Sequence, residues 1–350
     1  MLAVLATAAV VLSAGGTPSG RVGLATNLLG SREDMRRQLA TLHDAGIRWI
    51  REDFPWERIE PQHGRFDWRA TDELMAAAAE EEVDVLAIAG YSAPWSTSDP
   101  GGDVHAPPRD DGDYAAYVRA MVERYGPGGE FWRGDGAERP LRAVELWNEP
   151  WGHFFFKPDP DPARYAALAR AGAGAIHSAA RGVDVLVPAD LLQVRSDGRI
   201  VPWFSALLRA DPSLPELVDG WTVHPYPSPR SAPPDAPGDP RFGFGRVAET
   251  RRLAAAAGAE RPVWITELGW TTATGSDEGV SEEQQAAFLN AALGRALGAW
   301  RDFVPHVFVY TWNRSTGVPG DLEGNYGLRR ADGSFKPAWR VVTRRAVEDE

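Results

Sequence analysis

Two short stretches of this 350-residue chain place carboxylates where chemistry could use them. In Ala143-Val-Glu-Leu-Trp-Asn-Glu-Pro150 an apolar run ends in Trp147, Asn148, Glu149 and Pro150. Pro150 has no N–H for a ladder, so a predicted strand stops there. Glu149 is left at the strand's C-terminal end, beside an Asn148 able to hydrogen-bond a sugar hydroxyl. In Pro262-Val-Trp-Ile-Thr-Glu-Leu-Gly-Trp270 a second apolar run ends in Glu267, followed by Gly269 and Trp270. One Glu at a strand end is ordinarily a loop or surface residue. Two of them, each flanked by aromatics and turn residues, are what glycoside hydrolysis needs. One carboxyl protonates the leaving oxygen, and the other attacks the sugar or activates water. Both must sit on rigid elements, because misplacement by an ångström is costly.

The elements that would hold them repeat along the chain. Apolar or β-branched runs at 22–26, 47–51, 83–89, 143–147, 183–188, 220–223, 263–266 and 307–311 alternate with amphipathic stretches rich in Ala, Arg and Leu. Such βα alternation predicts a parallel sheet, and about eight units predict a single-domain (β/α)8 barrel. Ser31 to Asp34 and Ser281 to Gln284 both read as capping boxes. Asp161-Pro162 reads as a cap followed by a first helical proline. Residues 165–180 are expected to form a long helix, and 339–347 the last one. Two loops, 91–113 and 225–245, are rich in Pro and Gly. Each follows a predicted strand, so each is expected on the face where barrel enzymes keep their sites.

Composition narrows the classes. Hydrophobic residues are 43% and charged residues 25%, enough for a large core. The net charge of -12 argues against a nucleic-acid partner, which requires a clustered basic surface. With no cysteine, disulfides and thiolate chemistry are excluded. The seven His are scattered, with no pair at metal-ligand spacing, so neither a metal nor a cofactor is expected. Residues 1–20 begin with an uncharged apolar run, too short to span a bilayer, followed by small residues. This reads as a secretory leader lacking the usual basic residues, or as a disordered tail, ahead of a catalytic domain over 21–350. A secreted monomer is expected, with no membrane span.

With these motifs in place, the chain resembles a clan A glycoside hydrolase, most like families 39 and 5. In that clan the acid/base follows Asn at the end of the fourth strand, and the nucleophile ends the seventh. Asn148-Glu149 and Glu267 fall on the fourth and seventh predicted strands. The resemblance implies further roles. Arg51, ending the second strand, would hold the nucleophile ionised, since a nearby cation lowers a carboxylate pKa. In Trp221-Thr-Val-His-Pro-Tyr226, Tyr226 would hydrogen-bond the nucleophile and His224 would neighbour the acid/base or the sugar. Trp312 would floor the sugar subsite or belong to the core. The stretch from Pro55 through Trp56 to Trp68 resembles a recurring family segment and reads as mainly structural, with Trp56 a candidate for a sugar subsite.

Other residues keep two readings. Trp95 and Trp270 are either sugar platforms or packing, and His153 either lines a subsite or faces solvent. Glu145 reads as structural, buried against a cation such as Arg51. The expected reaction is double displacement on an oligo- or polysaccharide. The alternatives are a transglycosidase using the same residues, a non-catalytic carbohydrate-binding barrel and a metal-dependent hydrolase.

Overall fold

A parallel strand with helices on one side and packed side chains on the other must be apolar along most of its length. Each of the eight runs forms such a strand. The structure, a computed structural model, describes residues 20–31, 33–134 and 136–349. The leader expected over 1–20 lies outside them apart from Gly20.

The strands are β1 (Val22–Ala25), β2 (Trp49–Pro55), β3 (Asp84–Gly90), β4 (Ala143–Leu146), β5 (Asp184–Pro188), β6 (Gly220–Val223), β7 (Val263–Leu268) and β8 (Val307–Val309). All neighbours pair in parallel and β8 closes on β1, so the barrel runs in sequence order. Eight helices follow in turn: α1 (Met35–Asp44), α2 (Arg69–Glu80), α3 (Asp111–Tyr125), α4 (Pro162–Ala179), α5 (Phe204–Ala210), α6 (Arg246–Ala256), α7 (Glu282–Leu297) and α8 (Pro337–Asp349). This is the predicted (β/α)8 barrel. Between β5 and α5 the chain adds an antiparallel ribbon of Leu192–Val194 and Ile200–Pro202, too short to show a periodic signal. No helix of the described residues is long and apolar enough to cross a membrane.

Local signals explain most helix starts. Ser281 and Gln284 make the expected reciprocal capping box at α7. Asp161 accepts from Ala163 and Arg164 while Pro162 opens α4. The box expected at Ser31 does not form. Asp34 caps α1 by accepting from the Arg37 N–H, and Ser31 instead accepts from Glu33 in the preceding turn. The nearer carboxylate takes the cap.

Inside the barrel, Trp49, Leu86, Ala143, Leu186, Trp264 and Phe308 form an apolar plug. Trp49 meets Trp264 edge to face, with centroids 6.0 Å apart. Gly220 makes room for this, since a Cβ there would lie 2.8 Å from Leu186 and Trp264. Side chains two residues apart on a strand share a face. Two residues beyond Trp49, Ala143 and Trp264 come Arg51, Glu145 and Thr266, so the plug is the floor on which a polar layer stands.

His306 lies beneath this floor between Trp264 and Trp49, at centroid distances of 4.3 and 4.6 Å. Burial, aided by the charge of Arg21, pushes its pKa down to about 3. The ring is therefore neutral in the fold but titrates normally in the unfolded chain. Stability is full above the ordinary histidine pKa and is lost as pH falls from there toward about 3. The melting temperature of native protein should fall by a few degrees between pH 6.5 and pH 5, and His306→Gln should flatten that slope. Equal slopes for the two proteins would show that His306 does not set it.

Candidate active site

The C-terminal ends of β2, β4, β6 and β7 converge above the plug. Arg51 on β2 is 3% exposed and uses its guanidinium in three directions. Nε donates to Glu145 Oε2 at 2.7 Å, Nη1 to Glu267 Oε1 at 2.6 Å and Nη2 to Asn148 Oδ1 at 2.7 Å. Glu145 is fully buried and also accepts from Thr266 Oγ1 at 2.9 Å. The buried cation thus stands between two carboxylates, and these hydrogen bonds offset its desolvation.

Glu267 is the penultimate residue of β7 and is 8% exposed. Its second oxygen accepts from the Tyr226 hydroxyl at 2.7 Å. Burial pushes its pKa up, but the charges of His224 and Arg51 and these hydrogen bonds more than reverse that. The carboxyl is held below its ordinary value. Gly269 follows because a Cβ there would sit 2.4 Å from the Tyr310 carbonyl oxygen.

Glu149 lies just past β4, where the backbone turns sharply. Trp147 has φ 77° and Glu149 has φ 43°, both in the left-handed region. Such residues cost on the order of 1–3 kcal/mol each and persist only where surroundings hold them. Trp147 is fully buried and its indole N–H donates to the Phe155 carbonyl at 2.7 Å, which anchors the turn. Glycine would relax position 149 but would carry no carboxyl. Burial, with the charge of Glu267, raises the Glu149 pKa despite the opposing hydrogen bond from His224.

His224 joins the two acids. Nδ1 lies 2.7 Å from Glu149 Oε1 and 3.7 Å from Glu267 Oε2. Nε2 lies 3.1 Å from Thr266 Oγ1 and 3.5 Å from Arg51 Nη2. Burial lowers its pKa, and the facing Glu267 and Glu149 outweigh that to raise it. The His224 to Tyr226 segment is held from behind by Arg246, which pairs with Asp190 and donates to the Tyr226 carbonyl at 3.0 Å.

Of the residues singled out from sequence, the structure brings together Arg51, Asn148, Glu149, His224, Tyr226 and Glu267, with Glu145 as the expected partner of Arg51. Trp270 is fully buried, its N–H bound to the Ala232 carbonyl and its ring against Phe288. The proline-rich loop that contributes Ala232 covers it, so its ring presents no free face. Trp312 is 2% exposed, its N–H on Gln38 and the Arg329 guanidinium 4.2 Å above its ring. Trp56 is likewise buried, stacked on Tyr117. Trp95 is half-buried, with the His63 ring stacked on it at 4.6 Å. His153 is half-buried at the rim against the exposed Phe154.

Four aromatics at the site were not anticipated. Tyr91 hydroxyl accepts from Asn148 Nδ2 at 3.1 Å. Tyr310 and Tyr326 pack edge-on against Tyr226 at 6.3 and 5.6 Å. Trp151 sets its edge on His224 at 5.2 Å. Tyr91 and Tyr310 each follow directly after the last residue of β3 and β8, so the strand-end rule that found Glu149 could have found them. Tyr326 sits in a loop that carries no periodic signal.

One donor atom from each of Glu149, His224 and Glu267 lies within 4.8 Å of the other two, the one such group among the described residues. These three could meet a cation. The donors that Arg51 and Tyr226 direct at Glu267 suit a bare carboxylate.

The beta-galactosidase family model, glycosyl hydrolase family 42, matches residues 29–99. That span holds Arg51 and the stretch from Pro55 to Trp68. Among solved structures, a family 39 glycoside hydrolase from Bacteroides cellulosilyticus is similar at 19% identity and TM-score 0.68, over 93% of this chain and 63% of that one. The family 39 enzyme of Xanthomonas axonopodis pv. citri is similar at 19% identity and TM-score 0.67, over 96% of this chain and 68% of that one. A family 5 enzyme (subfamily 18) from Bifidobacterium longum subsp. infantis is similar at 17% identity and TM-score 0.63, over 95% and 79%. The chain thus spans just under two thirds of the Bacteroides protein it resembles. At these identities the likeness establishes a shared barrel fold. No curated protein matches the chain by sequence.

Proposed function

We propose that this chain is a retaining glycoside hydrolase. Glu267 attacks the anomeric carbon while Glu149 protonates the leaving oxygen. Water, deprotonated by Glu149, then opens the glycosyl-enzyme. The observation that carries this reading is the opposed pair itself. A half-buried carboxylate, Glu149, and a buried one, Glu267, face each other across the barrel mouth, and their surroundings drive their pKa values apart. One acid pushed toward keeping its proton beside another pushed toward losing it is the division of labour this reaction requires.

Spacing supports retention. Facing oxygens of the two acids lie within 4.8 Å. Retaining enzymes hold their carboxyls ~5–5.5 Å apart, and inverting enzymes leave ~6.5–9.5 Å for a water. The substrate in this reading is an oligo- or polysaccharide, since the site opens on the face where the two long loops lie.

The test is a screen over aryl glycosides and polysaccharides, with proton NMR of the first sugar released. The first-formed anomer should match that of the substrate. Release of the opposite anomer would overturn the nucleophile role of Glu267.

A further inference from the structure

Strand β2 continues beyond Arg51 through Glu52, Asp53 and Phe54 to Pro55. Side chains two apart share a face, so Trp49, Arg51 and Asp53 rise one above another on the inner wall, with Asp53 on top. Its neighbours Glu52 and Phe54 are buried, whereas Asp53 is exposed. Its carboxylate has no hydrogen bond or ion pair among the described residues.

Asp53 is nonetheless no ordinary surface acid. The surrounding walls raise its pKa, and it feels the charges of Arg51, Glu267, Glu145 and Arg58. Its own charge reaches Tyr91, the partner of Asn148. A group open to water yet enclosed by such neighbours lines a cleft. It stands one step above Arg51 on the same face of β2, and Arg51 holds Glu267, so Asp53 lies at the mouth of the site.

The other polar groups there are already engaged. Arg51 is bound to Glu145, Glu267 and Asn148, and Asn148 also serves Tyr91. Asp53 keeps two acceptor oxygens uncommitted, a match for a pair of adjacent hydroxyls. Arg58 lies on the outer, exposed end of the one-turn helix Trp56–Ile59. A carboxylate on the substrate would therefore meet Asp53 and Glu267 with no buried cation free to receive it.

We propose that Asp53 determines specificity by accepting hydrogen bonds from neighbouring hydroxyls of a neutral glycone, and that it disfavours uronic-acid units. This rests on the proposed hydrolase reading. Loss of a hydrogen bond to a charged group weakens recognition by roughly 10–100-fold.

The test uses both anomers of the 4-nitrophenyl galactoside, glucoside, mannoside, xyloside and glucuronide, with native protein and Asp53→Asn. Binding of the corresponding methyl glycosides is followed by saturation-transfer NMR. Since Asp53 has no partner in the fold, the variant should keep the native melting temperature. For the neutral glycosides that are cleaved, kcat/KM should fall roughly 10–100-fold, and the ratio of glucuronide to neutral cleavage should rise. Native values within twofold, with an unchanged ratio, would overturn the assignment. If native protein cleaves neither these glycosides nor any polysaccharide of the screen above, but Asp53→Asn loses binding of neutral methyl glycosides, the hydrolase reading fails and the recognition role stands. Absence of any neutral methyl glycoside binding to native protein would sink the recognition role itself.

Discussion

Glu267→Gln should lower kcat by on the order of 10⁴–10⁶-fold on any glycoside the native protein cleaves, the scale seen when a covalent nucleophile is removed. The amide has nearly the carboxylate's shape but neither its charge nor its nucleophilicity. The surroundings favour the ionised form of the native group, as the proposed nucleophile role requires. Arg51 donates to one oxygen at 2.6 Å and Tyr226 to the other at 2.7 Å, and both bonds are lost or weakened if the group is neutral. The variant should still fold, because Arg51 keeps its bond to the fully buried Glu145. Two further measurements separate a lost nucleophile from a damaged site. An activated 2-deoxy-2-fluoro glycoside should add one glycosyl mass to native protein at Glu267 and none to the variant. Glu267→Gly with added azide should release a glycosyl azide of inverted configuration. Near-native turnover by Glu267→Gln would remove the nucleophile assignment.

The arrangement also bounds the pH range of activity. In the proposed mechanism Glu267 must be ionised, and its depressed pKa should shift the acid limb downward. Glu149 must carry a proton, and its raised pKa moves the alkaline limb upward. His224 touches both acids, so the proton on one is felt by the other. A window between the limbs is expected because two identical side chains sit in unlike surroundings.

The fold was legible because its strands are buried on both faces, which leaves continuous apolar runs that a period-based reading detects. Glu149 and Glu267 stood out for the same reason, since a charged residue ending such a run contradicts the pattern around it. The far half of β2 was missed on equal grounds. Glu52 and Asp53 interrupt the apolar run, yet the strand continues because Phe54 turns into the core while Arg51 and Asp53 face the cleft. Tryptophans were harder to place. An indole packs well in a core and equally well under a sugar, and the residue type does not reveal which face the loops will cover. The proline-rich loop covers Trp270, and α1 and Arg329 enclose Trp312. The β1 loop showed how close two caps can compete, with Asp34 winning over Ser31 by lying nearer the first helical turn.

Glu149→Gln should produce a different signature from the nucleophile variant, and this contrast tests the assignment of roles more sharply than loss of activity does. General acid catalysis is worth about 10²–10⁴-fold, and its value depends on how poor the leaving group is. Cleavage of alkyl glycosides and of natural linkages should therefore fall by about that factor. Aryl glycosides with acidic phenols need little protonation, so their first step should be nearly spared and an intermediate on Glu267 should accumulate, visible as a burst of phenol. The alkaline limb of kcat/KM should vanish, because the group whose deprotonation it reports is gone. The acid limb should change little, since Glu149 is already protonated there and the amide oxygen of Glu149→Gln can still accept from His224. His224, Arg51 and Tyr226 still face Glu267, so the limb should remain at low pH. If Glu149→Gln slows good and poor leaving groups equally and keeps its alkaline limb, the proton donor lies elsewhere. The strained turn at Trp147 and Glu149 would then need another reason to be held.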